Sequence, residues 1–195
     1  AHKRSFVSVA EYNSLRFSDH ALREFFKLAE KSDYYKNTIF LIFGDHGLAA
    51  PQSENMPRGY VDLNLINHQI PLIIAGGPIK KPQVINKTAS QVDILPTVMG
   101  ILGRDVLTDP APEPGALIYG WAVSPATIGF VQGDYYYHSQ GEKEGLYKYA
   151  ADNYNEDISK KEPQRFEHMK ALAKGLYETS RYQFYHNQKR DERDD

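Results

Sequence analysis

Residues 37–43, NTIFLIF, are apolar on both faces, rich in β-branched and aromatic side chains, and run straight into Gly44-Asp45-His46-Gly47. Such a run suits cover on both faces better than cover on one. It is read as a central strand of a covered, largely parallel sheet rather than one arm of a one-sided hairpin. A second run, IPLIIAGG at 70–77, has the same character and the same glycine stop.

Helical patterns flank these strands. In residues 11–32, Leu15, Leu22, Phe25, Phe26 and Ala29 recur at spacings of three, four and seven, which predicts an amphipathic helix with Asp19, Arg23, Glu24, Lys27 and Lys31 mostly on its wet side. Residues 91–103, QVDILPTVMGILG, predict a second helix with Asp93 near its start, Pro96 in the first turn and Gly103 as a stop. Helix, strand, loop, strand, helix is the order of an α/β layer. After the Pro-rich TDPAPEPG, the short runs ALIYGW, TIGFVQ and DYYYHS predict small antiparallel strands, and residues 163–186 carry Phe166, Met169, Leu172, Ala173, Leu176 and Tyr177 at helical spacing. The tail KRDERDD is too charged to pack.

Composition narrows the function classes. The 195 residues are 41% hydrophobic and 25% charged, enough to bury the core of one domain or part of one. A formal charge of −2 offers no basic footprint, so nucleic acid is not an expected partner. With no cysteine there is neither a disulfide framework nor a thiolate metal site. No apolar run approaches the roughly twenty residues of a bilayer span, and AHKRSFVSVA lacks the apolar segment of a signal peptide. The chain has no initiator Met and enters a helical pattern almost at once, so a piece of something longer is expected.

In a mostly parallel sheet, ligands bind beyond the carboxyl ends of the strands, which is where Asp45 and His46 fall. A carboxylate and a neutral imidazole suit a divalent cation such as zinc or manganese, and Gly44 and Gly47 permit a tight turn that aims them. The plainer alternative makes Asp45 a cap for the next segment and His46 a loop residue. His68 bears on that choice: it precedes the second apolar run, and the long loop before it could fold it over the Asp-His turn as a second-metal ligand or a contact to an anionic substrate.

The motifs NTIFLIFGDHG, NHQIPLIIAGG and ASQVDILPTVMGILG, in that order, resemble the C-terminal part of the sulfatase branch of the alkaline phosphatase superfamily. The nearest likeness is to the membrane-anchored phosphoglycerol transferase and lipoteichoic acid synthase-like group, and it extends into the flanking sequence over nearly the whole chain. The resemblance implies a mostly parallel central sheet with flanking helices, followed by a small antiparallel sheet and a C-terminal helix. The implied divisions are 1–108, the C-terminal half of a sulfatase-like α/β domain; 109–187, the small strands and last helix; and 188–195, the charged tail.

The resemblance also implies an activity. A Thr in the transferases, or a modified Ser or Cys in sulfatases, attacks the phosphorus or sulfur of an ester, and a divalent metal (Mn²⁺, Zn²⁺, Ca²⁺ or Mg²⁺) stabilises the developing charge. By motif Asp45 and His46 match the metal-binding pair, and His68 matches a position that binds a second metal or the substrate. Implied partners are an anionic ester, whether phospholipid head group, phosphoglycan or sulfated glycan, and the missing N-terminal half of the same chain, which would carry the nucleophile. The implied location is extracytoplasmic, with a membrane anchor on the whole protein. Two competing readings are a non-catalytic scaffold that retains the fold and a binuclear phosphatase or phosphodiesterase.

Other residues take plainer readings. Thr38 lies inside the strand, and Ser5, Ser8 and Ser14 have no family context as nucleophiles. Asp93 is read as a helix cap, His2 and His20 as surface residues, the tyrosines of DYYYHS with Trp121 as strand packing that fills one face and decorates the other, and Lys80, Lys81 and Lys87 as a solvated loop.

Overall fold

A computed structural model describes residues 8–47, 54, 56–76, 79, 81–104, 115–120 and 127–186. The chain divides into two compact units, Ala1–Ile85 with Ala150–Asp152, and Asn86–Tyr149 with Asn153–Asp195.

The first unit opens with α1, Val9–Ala29. Ser8 starts it through a reciprocal capping box: the Glu11 N–H donates to Ser8 Oγ at 3.2 Å, and the Ser8 N–H donates to Glu11 Oε2 at 3.0 Å. The predicted apolar stripe falls on this helix, with Leu15, Leu22 and Phe25 exposed. Its C-terminal part, Phe25 and Phe26, closes edge-on around Phe40 at 6.1 and 5.1 Å between ring centroids, and Ala29 is buried.

Phe40 belongs to β1, Ile39–Phe43, which pairs with β2, Leu72–Gly76. The short helix α2, Arg58–Asp62, and a single 3₁₀ turn at Leu65–Asn67 lie between them. The pairing is antiparallel, running from Ile39↔Gly76 to Phe43↔Leu72. This corrects the expectation of a mostly parallel central sheet, of which the described residues contain no pair. Two-sided apolarity reports that both faces of a strand are meant to be covered, and it carries no information on the direction of the neighbour.

In the second unit a 3₁₀ turn at Gln91–Asp93 leads into α3, Ile94–Ile101. Four strands follow as an antiparallel meander: β3 Ala116–Gly120, β4 Thr127–Gln132, β5 Tyr135–Gln140 and β6 Lys143–Lys148. The first three match the predicted short strands. β6, whose sequence KEGLYK lacks a β-branched residue, was not anticipated. Two-residue links carry Gly133 at φ 56° and Gly141 at φ 61°, a backbone that other residues resist and tight hairpins require.

α4, Pro163–His186, lies against one face of this sheet, with the bounds expected from its periodicity. Phe130, Tyr137 and Leu146 meet Met169, Ala173 and Ile158 there, and Tyr137, Leu146, Met169 and Ala173 are fully enclosed. At the sheet's β6 edge the Leu146 N–H donates to Asp157 Oδ1 and the Ile158 N–H to the Leu146 carbonyl, which satisfies a strand edge that would otherwise be open. The tyrosines pack, as expected, but on both faces: Tyr137 joins the helix-side core, while Tyr136 is buried on the other face beside His138 and Tyr147. Burial pushes the Tyr137 phenol up to about 12. Trp121, the Pro-rich connector up to Pro114 and the charged tail lie outside the described residues.

Candidate functional site

β1 ends at Phe43, and Gly44 to Gly47 turn immediately beyond it. Because β2 runs antiparallel, its first residue, Leu72, stands opposite Phe43, so the segment leading into β2 is delivered to the same end of the ladder as Asp45 and His46. The two pieces are joined directly. The Gly47 N–H donates to the Asn67 carbonyl at 2.7 Å. A Cβ on Gly47 would lie 2.1 Å from the Ile66 carbonyl oxygen and 2.9 Å from that of Gln69, and one on Gly44 would come within 3.3 Å of the Ile70 side chain. Glycine at 47 is thus required by backbone-to-backbone approach, while at 44 it relieves a milder crowding.

The turn presents its two polar side chains to solvent: the Asp45 carboxylate is 92% exposed and the His46 imidazole 76%. Asp45 Oδ1 accepts the His46 N–H at 3.0 Å and lies 3.9 Å from His46 Nε2. On the other side of the ring, Nδ1 is 2.7 Å from the Gly47 carbonyl. A carbonyl can only accept, so Nδ1 carries the proton in the neutral ring and Nε2 keeps its lone pair for a ligand. A carboxylate oxygen and an imidazole nitrogen on one turn form part of the donor set of a divalent cation.

His68 follows the 3₁₀ turn at Leu65–Asn67, its N–H donating to the carbonyl of Leu65, which is buried. Although the residue is exposed overall, the packing around its ring lowers the pKa and favours the neutral imidazole. The register therefore brings His68 to the same end of the ladder as Asp45 and His46. Among the described residues no group of three or more His, Asp or Glu is arranged to hold a metal.

The other candidates have structural duties. Thr38 Oγ1 donates to the Tyr34 carbonyl at 2.7 Å, at the opposite end of β1 from the turn, and Ser14 Oγ donates to the Ala10 carbonyl within α1. Ser8 is a cap. Asp93 closes a capping box, its Oδ2 accepting the Ser90 N–H at 2.7 Å. His20 is exposed on α1, and Lys81 and Lys87 are exposed. His2, Ser5 and Lys80 lie outside the described residues. Asn64 and Asn67 were not anticipated. Asn64 holds a left-handed backbone at φ 58° and accepts a hydrogen bond from Asn67 Nδ2, which folds the segment back on itself beside Gly47. The NLINH spacing was the available signal, since asparagine is the residue most at home in such turns.

Comparison with known proteins bears on the same segment. Residues 9–104 match the Sulfatase family model. The chain is 30% identical to lipoteichoic acid synthase 1 of Bacillus subtilis, over 48% of this chain and 16% of that protein, and 30% identical to lipoteichoic acid synthase of Staphylococcus aureus, over 46% and 15%. It thus spans about a sixth of the length of these relatives. A solved structure described under the metabolism of multiple glycosaminoglycans by Bacteroides thetaiotaomicron shares the fold at a TM-score of 0.55 and 16% identity, covering 81% of this chain and 42% of that one. The strand, the Asp-His turn and the α3 segment all lie inside the matched range, so residues 9–104 form a sulfatase-family segment and the chain is similar to the lipoteichoic acid synthases.

Proposed function

We propose that this chain is the C-terminal part of a metal-dependent enzyme acting on phosphate or sulfate esters, of the phosphoglycerol or phosphoethanolamine transferase or sulfuric ester hydrolase kind. The carrying observation is the clamp between Gly47 and Asn67, which holds an exposed Asp45–His46 pair at the end of a strand within the family-matched segment.

In this reading Asp45 and His46 hold a divalent metal, Mn²⁺, Zn²⁺, Ca²⁺ or Mg²⁺, with remaining ligands and the nucleophile supplied by the N-terminal half of the same protein. The bound ion would supply electrophilic stabilisation of the charge that builds on the ester's oxygens. His46 presents Nε2 because Nδ1 is committed to the Gly47 carbonyl. Neutral His68, arriving at the same end, offers a hydrogen bond to the anionic group or a ligand to a second ion. The substrate is an anionic ester such as a phospholipid head group, phosphoglycan or sulfated glycan. The whole protein works outside the cytoplasm on a membrane anchor; among the described residues no helix is long and apolar enough to cross a membrane.

The competing reading is a scaffold that keeps the fold without turnover. Assaying the protein in its full encoded length on an aryl phosphate, an aryl sulfate and glycerophospholipid vesicles separates them. The enzyme reading expects turnover of at least one probe that a chelator removes, Mn²⁺ or Zn²⁺ restores, and Asp45→Asn lowers by two or more orders of magnitude. Absence of turnover on all three with metal supplied, or turnover indifferent to Asp45→Asn, contradicts it.

A further inference from the structure

We infer that Asn67, held by Asn64, is a positioning residue for His46: through Gly47 it fixes the imidazole with Nδ1 protonated and Nε2 facing outward. The consequence for metal affinity rests on the functional reading above, whereas the tautomer itself does not.

The relay can be followed atom by atom. Asn64, at φ 58°, accepts from Asn67 Nδ2. The Asn67 carbonyl accepts the Gly47 N–H at 2.7 Å, and the Gly47 carbonyl accepts from His46 Nδ1 at 2.7 Å. Each link leaves little freedom. Gly47 is packed backbone to backbone against the segment, since an added Cβ would meet the Ile66 carbonyl at 2.1 Å. Buried Leu65 and the Leu65–Asn67 turn anchor the segment from beneath.

Asn67 is also costly for the fold alone, since its Oδ1 is buried without a hydrogen-bond partner. A side chain that leaves one buried polar atom unsatisfied while its other atoms brace the turn is placed for the turn. An imidazole that is three-quarters exposed would otherwise rotate and exchange tautomers, and presenting a single nitrogen requires that its other nitrogen be occupied.

The test uses the metal-free protein in its full encoded length, selectively labelled with ¹⁵N-histidine, and Asn67→Ala, Asn64→Gly and Asn64→Asp variants. Asn64→Gly keeps the left-handed backbone but removes the side-chain acceptor; Asn64→Asp keeps both. Long-range ¹H–¹⁵N correlation above the imidazole pKa reads the His46 tautomer, with His20 on α1 as internal reference. Wild type and Asn64→Asp are expected to show Nδ1–H at His46, and Asn67→Ala and Asn64→Gly a tautomer mixture like that of His20. Mn²⁺ titration of the same samples is expected to show about tenfold weaker binding in the two loosened variants. An unchanged His46 tautomer in Asn67→Ala and Asn64→Gly, with backbone spectra still those of the fold, overturns the inference. A tautomer that depends on Asn67 in a protein that binds no Mn²⁺ supports the positioning role and defeats the metal reading.

Discussion

Phe43 and Leu72 face each other across the β1–β2 ladder, and this pairing sets where the chemistry can be. With β2 parallel, His68 would enter at the far end and would have to loop back over the Asp-His turn. With β2 antiparallel, the ladder itself brings residues 66–70 to Gly44–Gly47, and one hydrogen bond at 2.7 Å ties them. The site is a product of strand direction more than of loop length.

Gly47→Ala should detach this tie. The added methyl would sit 2.1 Å from a backbone oxygen, which cannot swing away as a side-chain tip could. Overpacking of this kind costs about 1–3 kcal/mol. Denaturant melts monitored in the first unit should show a lower midpoint with an unchanged slope, and Mn²⁺ affinity should fall in parallel.

The second unit depends on its helix-to-sheet core. Met169 is fully enclosed by Phe130, Tyr137, Leu146 and their neighbours, so Met169→Ala should cost about 2–5 kcal/mol, read as a loss of midpoint in chemical denaturation.

Glu144 binds Lys170 and Lys174 of α4 and accepts the Tyr137 hydroxyl at 3.1 Å. Burial works to raise its pKa, but the bonds from Lys170, Lys174 and Tyr137 together outweigh it and the net direction is down. Glu144→Gln should destabilise the unit by about 1 kcal/mol, near the top of the range for a pair that solvent still screens. The same loss should be absent from a Glu144→Gln, Lys170→Met, Lys174→Met combination beyond the lysine substitutions alone, which a thermal-melt cycle would show.

Stability should also fall on mild acidification. Half-buried His138, beside Tyr136, has its pKa lowered by burial, so the folded state binds a proton less readily than the unfolded chain. Between the ordinary histidine value and the lowered one the unfolded state holds more protons, and stability rises with pH there. It is fully present above about 6.5 and is lost as pH falls through the folded pKa. A His138→Asn variant, titrated by denaturant melts from neutral pH downward, should flatten that part of the profile.

Local patterns were legible where apolar residues kept a helical or strand period. The stripe of Leu15, Leu22, Phe25, Phe26 and Ala29 gave α1, and the spacing from Phe166 to Tyr177 gave α4. The Gly133-Asp134 and Gln140-Gly141 pairs between short runs marked small antiparallel strands, though β6 escaped notice because Lys143–Lys148 has no β-branched residue and no clear alternation. Strand direction was illegible: IFLIF and LIIAG are equally apolar whether their partner runs with or against them. Tyr136 shows a similar limit, since alternation suggested one wet face and the structure covers both. The Asp45–His46 turn was legible as a motif. The brace behind it was not, because Asn64 and Asn67 act through a left-handed backbone and a carbonyl, neither of which a residue type declares.

The most direct test of the central claim is the metal content of the protein in its full encoded length, measured after exhaustive dialysis for wild type, Asp45→Ala and His46→Ala. The account predicts about one or more tightly held Mn²⁺ or Zn²⁺ per wild-type chain and loss of that ion in either variant, with the 195-residue chain alone binding weakly. A wild-type protein that retains no metal, or variants that retain as much as wild type, would contradict it and leave a likeness of fold only.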